Sequence, residues 1–247
     1  MLSDFTEIAL DEALKRTDCL VESKIDGTRM TWDDTNLISD RGIVRTNRFP
    51  HIVKELRALN WKVRGEIAVP FGNVLTVNKK VNWPKARFYI FDLFGLKDDD
   101  CRNADPFDNR QHLEDVFKGI TSDFLRLPFK FNSVKDGSIW TKRKHGEGLV
   151  LKLDGKGYKW KNYKEAKVAI IGHEAGKLHG TFLIDFHGVP GRVSATSTGL
   201  YQKYLNFLAQ NKAPYAEIEY LFITDSGVPF QPRMRRLDTL QELQLPG

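Results

Sequence analysis

Apolar positions recur along the chain with two different periods, and each change of period marks a new element. Phe5, Ile8, Ala9 and Ala13 fall at helical spacing and predict a short opening helix over residues 5–16. An extended run follows over 20–32. Behind Pro50, residues Ile52, Val53, Leu56 and Leu59 return to helical spacing, and a second extended run covers 61–69. Ala86 to Leu93 is dense in aromatic and β-branched residues and predicts a buried strand. Pro106 then opens a helix that turns Leu113, Val116 and Phe117 inward and stops at Gly119. Gly148 to Leu153 predicts another buried strand.

The texture changes after about residue 165. Short strands at 167–173, 181–187, 191–197 and 216–224 alternate with glycine-bearing turns, and one helix carries Leu200, Tyr201, Tyr204, Leu205 and Leu208. This pattern predicts a small five-stranded β-barrel of the OB type. No Pro- or Ser-rich linker separates the two parts, which puts any hinge in the basic stretch Lys156 to Lys167.

Composition narrows the class. Of the 247 residues 41% are hydrophobic and 11% aromatic, enough to bury a core. No apolar run approaches membrane-spanning length, and the first residues carry acids where a signal peptide carries basic residues. Cys19 and Cys101 are too few for a disulfide framework or a zinc knuckle. The expectation is a cytoplasmic, intracellular protein in a reducing setting, with no membrane partner. The formal charge is +6, and residues 155–247 carry 12 Lys and Arg against 8 acids, a bias that suits a polyanionic partner.

Five segments carry candidate chemistry. Glu22-Ser-Lys24-Ile-Asp26-Gly27-Thr-Arg29 sets a lysine, an Asp-Gly turn and an arginine between extended runs. Strand alternation places Lys24 and Asp26 on one face, and Gly27 would let a ligand approach the backbone. Taken alone, a K-x-D-G string is better read as a solvated hairpin edge with a Lys/Asp/Arg charge cluster, and the other segments decide between the two readings. Arg64-Gly65-Glu66-Ile67 offers one carboxylate, Tyr89-Ile90-Phe91-Asp92-Leu93 an aromatic beside an acid, and Gly146-Glu147-Gly148-Leu-Val-Leu-Lys152 a glutamate between glycines. Tyr158-Lys159-Trp160-Lys161 puts two lysines on one face of an extended segment. Each alone has a bland structural reading.

Their order along the chain resembles that of the covalent nucleotidyltransferases, and over essentially all 247 residues the sequence resembles minimal ATP-dependent DNA ligases. The resemblance implies an α+β fold: an adenylation (nucleotidyltransferase) domain of antiparallel sheets with flanking helices over residues 1–164, then an OB-fold domain over 165–247. It implies an enzyme that uses ATP and Mg²⁺ to seal nicks in double-stranded DNA, as a monomer, in replication, repair or recombination. Lys24 is then the nucleophile that takes AMP. An unperturbed lysine is neutral only about once in a few thousand molecules at pH 7. Nearby positive charge, from Mg²⁺, Lys159, Lys161 and Arg29, would lower its pKa and clamp the α-phosphate. By the same resemblance Glu147 binds metal, Glu66 contacts the ribose or a metal, Phe91 stacks on adenine, and Glu22 reads the adenine edge.

Leu37-Ile-Ser39-Asp40-Arg41-Gly42 resembles the family segment whose arginine grips the nick 5′-phosphate, although Asp40 interrupts the usual serine–arginine pair. Arg110 also fits a family position, with no role attached to it. Val228 to Asp238 resembles the terminal segment that orients pyrophosphate. Asp238 stands there in place of a basic residue, leaving open which of Arg233, Arg235 and Arg236 acts, or whether they form a basic DNA-facing edge. Two other functions are compatible with parts of the pattern. An RNA ligase or capping guanylyltransferase would share Lys24, while a non-catalytic OB-type single-strand binder has no need of Lys24, Glu66 and Glu147 together.

Overall fold

A computed structural model describes residues 5–59, 61–96, 99–100, 105–153, 156–174, 180–194 and 197–244. The chain divides into two compact units, Met1–Asn162 and Tyr163–Gly247.

The first unit contains two sheets. One has the strand order Thr6–Glu7, Lys156–Lys161, Gly148–Leu153, Leu20–Lys24, Lys130–Phe131, antiparallel except for the first pair. The other runs Leu37–Ser39, Thr28–Trp32, Trp61–Ala68, Arg87–Leu96, Asp99–Asp100, with Leu125–Arg126 parallel beside Arg87–Leu96. Its core gathers Trp32, Phe49, Phe88, Ile90 and Leu113, joined by Ile52, Val53 and Leu56 from the helix Pro50–Arg57. Each such side chain contributes roughly 1.5–3 kcal/mol by leaving water. Pro106–Phe117 begins at Asp105, whose carboxylate accepts the Phe107 N–H at 2.8 Å. A separate cluster under the first sheet packs Val21, Leu149, Leu151 and Trp160 against Val134 of the helix Val134–Arg143.

Three features differ from the sequence reading. The opening segment is helical only over Leu10–Ala13, while Thr6 and Glu7 pair with Tyr158 and Lys159. Those residues satisfy the hydrogen-bonding groups of a sheet edge, and that tertiary demand outweighs helical spacing. The extended run 20–32 is two strands in different sheets, broken at Ile25–Gly27, so alternation does not carry from Lys24 to Asp26. Gly27 serves backbone packing: a Cβ there would lie 2.2 Å from the Ile67 carbonyl oxygen. The helix Val134–Arg143 was hidden by its charged residues and by Gly137, where a Cβ would press on Leu149 at 2.9 Å.

In the second unit, Lys164–Glu174, Thr181–Phe186, Val189–Ser194, Arg233–Asp238 and Tyr215–Tyr220 close in that order into a barrel. Phe182, Ile184, Val193, Ala216, Ile218 and Met234 fill its interior. The helix Thr198–Ala209 lies between the third and fourth strands in sequence and is capped by Ser197, which accepts from Leu200 N at 3.4 Å. Arg233–Asp238 lacks an apolar signature because only Met234 and Leu237 carry its inward face. Part of the expected 191–197 strand, residues 195–196, lies outside the described residues, as does Cys101. Among the described residues no helix is long and apolar enough to cross a membrane.

Candidate active site

Strand register builds one wall of a cleft from rows of side chains. Gly148 pairs with Lys24 on one side and with Lys161 on the other, so the two lysines share a row whose middle position has no side chain. That gap is enforced, because a Cβ on Gly148 would sit 1.9 Å from the Trp160 carbonyl oxygen. In the neighbouring row Glu22, Val150 and Lys159 lie side by side. Two residues apart on a strand, Glu22 and Lys24 present their side chains to the same face.

The second sheet supplies further residues. Arg29 pairs across strands with Glu66. On Arg87–Leu96 the register shifts: Gly65 opposes Ile90 and Arg64 opposes Asp92, which leaves Phe91 as the extra residue of a β-bulge. Ile90 and Leu93 stay in the core while Phe91 and Asp92 both fall outside it. The bulge thereby turns an aromatic ring toward the cleft. The cleft, about 500 Å³ with its open mouth, is lined by Glu22, Lys24, Arg29, Glu66, Phe91 and Lys159 together with Phe5, Ser23, Ile25, Pro128, Val150 and Lys152.

The charges around Lys24 are tightly coupled. Its Nζ donates to Glu147 Oε2 at 2.7 Å. Burial pushes the Glu66 carboxyl up to about 8, against the opposing pull of Lys24 and Arg29 and with a further push from Glu147. Burial, then the Glu147 charge, raises Asp26 to about 6, although its Oδ1 accepts the Val74 N–H at 3.0 Å. Buried carboxyls that resist ionisation form a donor set whose charge a divalent cation would offset. Among the described residues no three Asp, Glu, His or Cys side chains form a closed metal cage. Mg²⁺ commonly uses only one or two carboxylates with water and phosphate oxygens, so the donors present fit that ion.

Glu22 is 1% exposed, and protein cations meet both of its oxygens: Arg110 Nη1 donates to Oε1 at 2.6 Å, and Lys152 Nζ lies 3.0 Å from Oε2. Lys152 also donates to the Phe91 carbonyl oxygen at 2.7 Å and to Asp92 Oδ1 at 3.2 Å. Burial acts to lower the Lys152 pKa, but Glu22 and Asp92 outweigh it and hold the ammonium above its ordinary value. Burial raises Asp92 despite Lys152.

The sequence-derived residues do not all converge. Lys161 stands in the Lys24 row, 3.7 Å from Glu7, and is not part of the cleft lining. Arg41 is exposed in the turn after Leu37–Ser39, where Gly42 takes φ +73° and donates to Ser39 O. Its neighbour Asp40 pairs with Arg29 at 3.7 Å. Arg233, Arg235 and Arg236 belong to the second unit. There Arg235 Nε donates to the buried Glu219 at 2.6 Å, Arg233 lies 3.8 Å from the same carboxylate, and Arg236 pairs with Asp238 at 3.2 Å. Asp238 also receives Lys203 at 3.1 Å, so it gathers barrel cations where a basic residue was expected. Phe5, Pro128 and Lys152 line the cleft without having been singled out. Lys152 had a legible signal, a lysine inside an otherwise apolar strand. Phe5 rests on Gly157, where a Cβ would meet its ring at 2.5 Å.

Comparison with solved structures returns DNA ligases. A Lig E DNA ligase, described as binding DNA with a minimal scaffold, matches with a TM-score of 0.68 at 17% identity, over 96% of this chain and 100% of that one. A mycobacterial DNA ligase D complexed with ATP and MES matches with a TM-score of 0.56 at 19% identity, over 97% of this chain and 94% of that one. The ligase domain of M. tuberculosis LigD gives 0.57 at 17% identity, over 96% and 95% of the two chains. No family model and no curated protein sequence matches. The chain has the fold of the minimal DNA ligases.

Proposed function

We propose that the protein is an ATP-dependent DNA ligase that seals 3′-hydroxyl/5′-phosphate nicks in duplex DNA. In this reading residues 1–164 are the adenylation domain and 165–247 an OB-fold domain. The observation that carries the reading is Lys24 itself: a partly buried amine facing a cleft, paired to Glu147 and in one row with Lys161.

Lys24 Nζ attacks the α-phosphorus of ATP; the P–N bond forms, the bond to pyrophosphate breaks, and the amine gives up its proton. The AMP then passes to the 5′-phosphate of the nick, forming a new phosphoanhydride and freeing Lys24. The 3′-hydroxyl attacks that phosphate, AMP leaves, and the strand is closed. Lys159 and Arg29 from the cleft lining, with Lys161 from the Lys24 row, stabilise the charge that grows on the phosphate oxygens, since cations already fixed in place cost no reorganisation as that charge develops. Glu147 and Glu66 would hold Mg²⁺, which supplies Lewis-acid stabilisation of the phosphoryl oxygens when bound. Phe91 offers a face for adenine, Glu22 its edge, Arg41 a grip on the nick phosphate, and Arg233, Arg235 and Arg236 a contact to pyrophosphate or DNA.

The test is intact mass after incubation with ATP and Mg²⁺, followed by sealing of a labelled nick. One added AMP on Lys24 and a sealed strand support the reading. Transfer of GMP instead, or sealing confined to RNA, would move the protein to the neighbouring nucleotidyltransferases, and neither adduct nor sealing would leave it a binder.

A further inference from the structure

Four buried or nearly buried charges cluster at the cleft wall, Glu22 and Lys152 in its lining and Arg110 and Asp92 paired to them. Two cations and two anions balance, but the hydrogen bonds are divided unequally. An ammonium has three N–H donors. The three acceptors around Lys152 are Phe91 O, Asp92 Oδ1 and Glu22 Oε2, so it has none left to offer a ligand. Glu22 differs. A carboxylate has about four lone-pair positions, and Arg110 and Lys152 occupy one on each oxygen while the side chain still lines the cleft. What Glu22 presents there is unfilled acceptor capacity on a carboxylate already paired to two cations.

Arg110 sets that state. It reaches in from the helix Pro106–Phe117, with a side chain only 8% exposed. Nη1 donates to Glu22 and to the Pro128 carbonyl oxygen at 3.0 Å, and Nε donates to Glu114 at 2.8 Å. Three bonds on a planar group fix its direction, and a fixed guanidinium fixes the carboxylate it holds. Without it, Lys152 alone would face both Glu22 and Asp92, and one buried negative charge would lack a counter-ion. Lys24 lies two residues along the strand, roughly 7 Å from Glu22, a separation suited to a nucleotide with its base at one residue and its α-phosphate at the other.

We propose that Arg110 is a positioning residue for base selection. It keeps Glu22 an oriented, acceptor-only edge, so that the cleft admits a purine bearing an amino group there and rejects one bearing a carbonyl oxygen. The inference rests on the nucleotidyl-transfer reading above. It assigns ATP-over-GTP preference to a residue that touches neither the base nor the reacting phosphate. A site built around specific hydrogen bonds discriminates strongly, because the wrong partner leaves buried groups unpaired.

The experiment measures the ratio of AMP to GMP attached to Lys24, by intact mass, in equal ATP and GTP with Mg²⁺. Wild type is expected to carry AMP. Arg110→Met is expected to lower the ratio by about tenfold or more, with Arg110→Lys restoring part of it. Glu114→Gln, which keeps an oxygen to accept from Arg110 Nε and removes only the charge on the side away from the base, is expected to leave the ratio unchanged. Glu22→Gln gives the edge an N–H donor and is expected to raise GMP incorporation, which keeps the test open should Arg110→Met fail to fold. A folded Arg110→Met with the wild-type ratio, or an unchanged ratio in Glu22→Gln, would overturn the inference while leaving the ligase reading intact. Wild type that takes neither nucleotide would overturn the ligase reading and this inference with it.

Discussion

Lys24 and Lys161 occupy one row of a sheet, with Gly148 between them as the only residue in the row without a side chain. The spacing is a property of three strands, and no single segment encodes it. It sets a second lysine two strands away in the row of the proposed nucleophile, while Glu147 holds Lys24 at 2.7 Å.

Gly148→Ala should therefore be damaging out of proportion to one methyl group. The added Cβ would meet backbone, the Trp160 carbonyl oxygen, so the strands Gly148–Leu153 and Lys156–Lys161 must separate to accept it. Overpacking of this kind costs on the order of 1–3 kcal/mol. We expect a melting temperature several degrees lower and self-adenylation reduced at least about tenfold. A variant that melts like wild type would show that the strands are free to spread here.

Lys24→Arg separates charge from nucleophilicity. A guanidinium can keep the ion pair with Glu147 but cannot lose its proton at working pH. The variant should fold and melt like wild type yet carry no AMP, and peptide mapping of wild type should place the adduct on Lys24. An adduct on another residue, or one that survives in Lys24→Arg, contradicts the assignment.

Glu66 links the site to pH. Its carboxyl titrates near 8 in the folded protein because burial disfavours the charge, whereas an unfolded glutamate titrates near 4.3. The folded state thus binds the extra proton between these values. The associated stability is fully present below the unfolded pKa and is lost as pH rises through 8. Glu66→Gln removes this loss, so the variant should gain roughly 1–2 kcal/mol over wild type at pH 8.5 relative to pH 5, a modest figure because the carboxylate opens onto the cleft. Melting curves at the two pH values check the sign. An equal difference at both would mean Glu66 ionises normally in the free protein.

Much of this site was legible because its chemistry lies in short segments. Lys24, Glu66, Glu147 and the Lys159/Lys161 pair each sit in a short string that is bland alone, and it is their order along the chain that points to a nucleotide site. What stayed hidden depends on pairing across the chain. The bulge that turns out Phe91 arises from a register shift against Trp61–Ala68, and neither strand shows it alone. Arg110 and Glu22 are 88 residues apart, and no periodicity links them. Gly27 showed the limit of reading a glycine locally, since its small size accommodates the Ile67 backbone of the adjacent strand. The opening segment showed the same for helical spacing, because an unpaired sheet edge claimed Thr6 and Glu7.

Arg41 tests the division of labour among the three steps. It is exposed in a tight turn, outside the cleft lining, beside the Asp40 that reaches Arg29. If it grips the nick phosphate, Arg41→Ala should leave adenylation of Lys24 within about twofold of wild type while slowing transfer of AMP to a nicked duplex by at least about tenfold, the expected cost of one charge-assisted phosphate contact. Affinity for nicked DNA should fall and become less steep in salt, since each lost phosphate contact removes about one unit from the slope. A pre-adenylated nick, which already contains AMP, should be sealed with a smaller defect than an ordinary nick. Single-turnover rates on the two substrates, with binding at two salt concentrations, give the comparison. Equal losses in adenylation and in transfer would place Arg41 with the nucleotide rather than with DNA, and an unchanged salt slope would remove it from the phosphate contacts altogether.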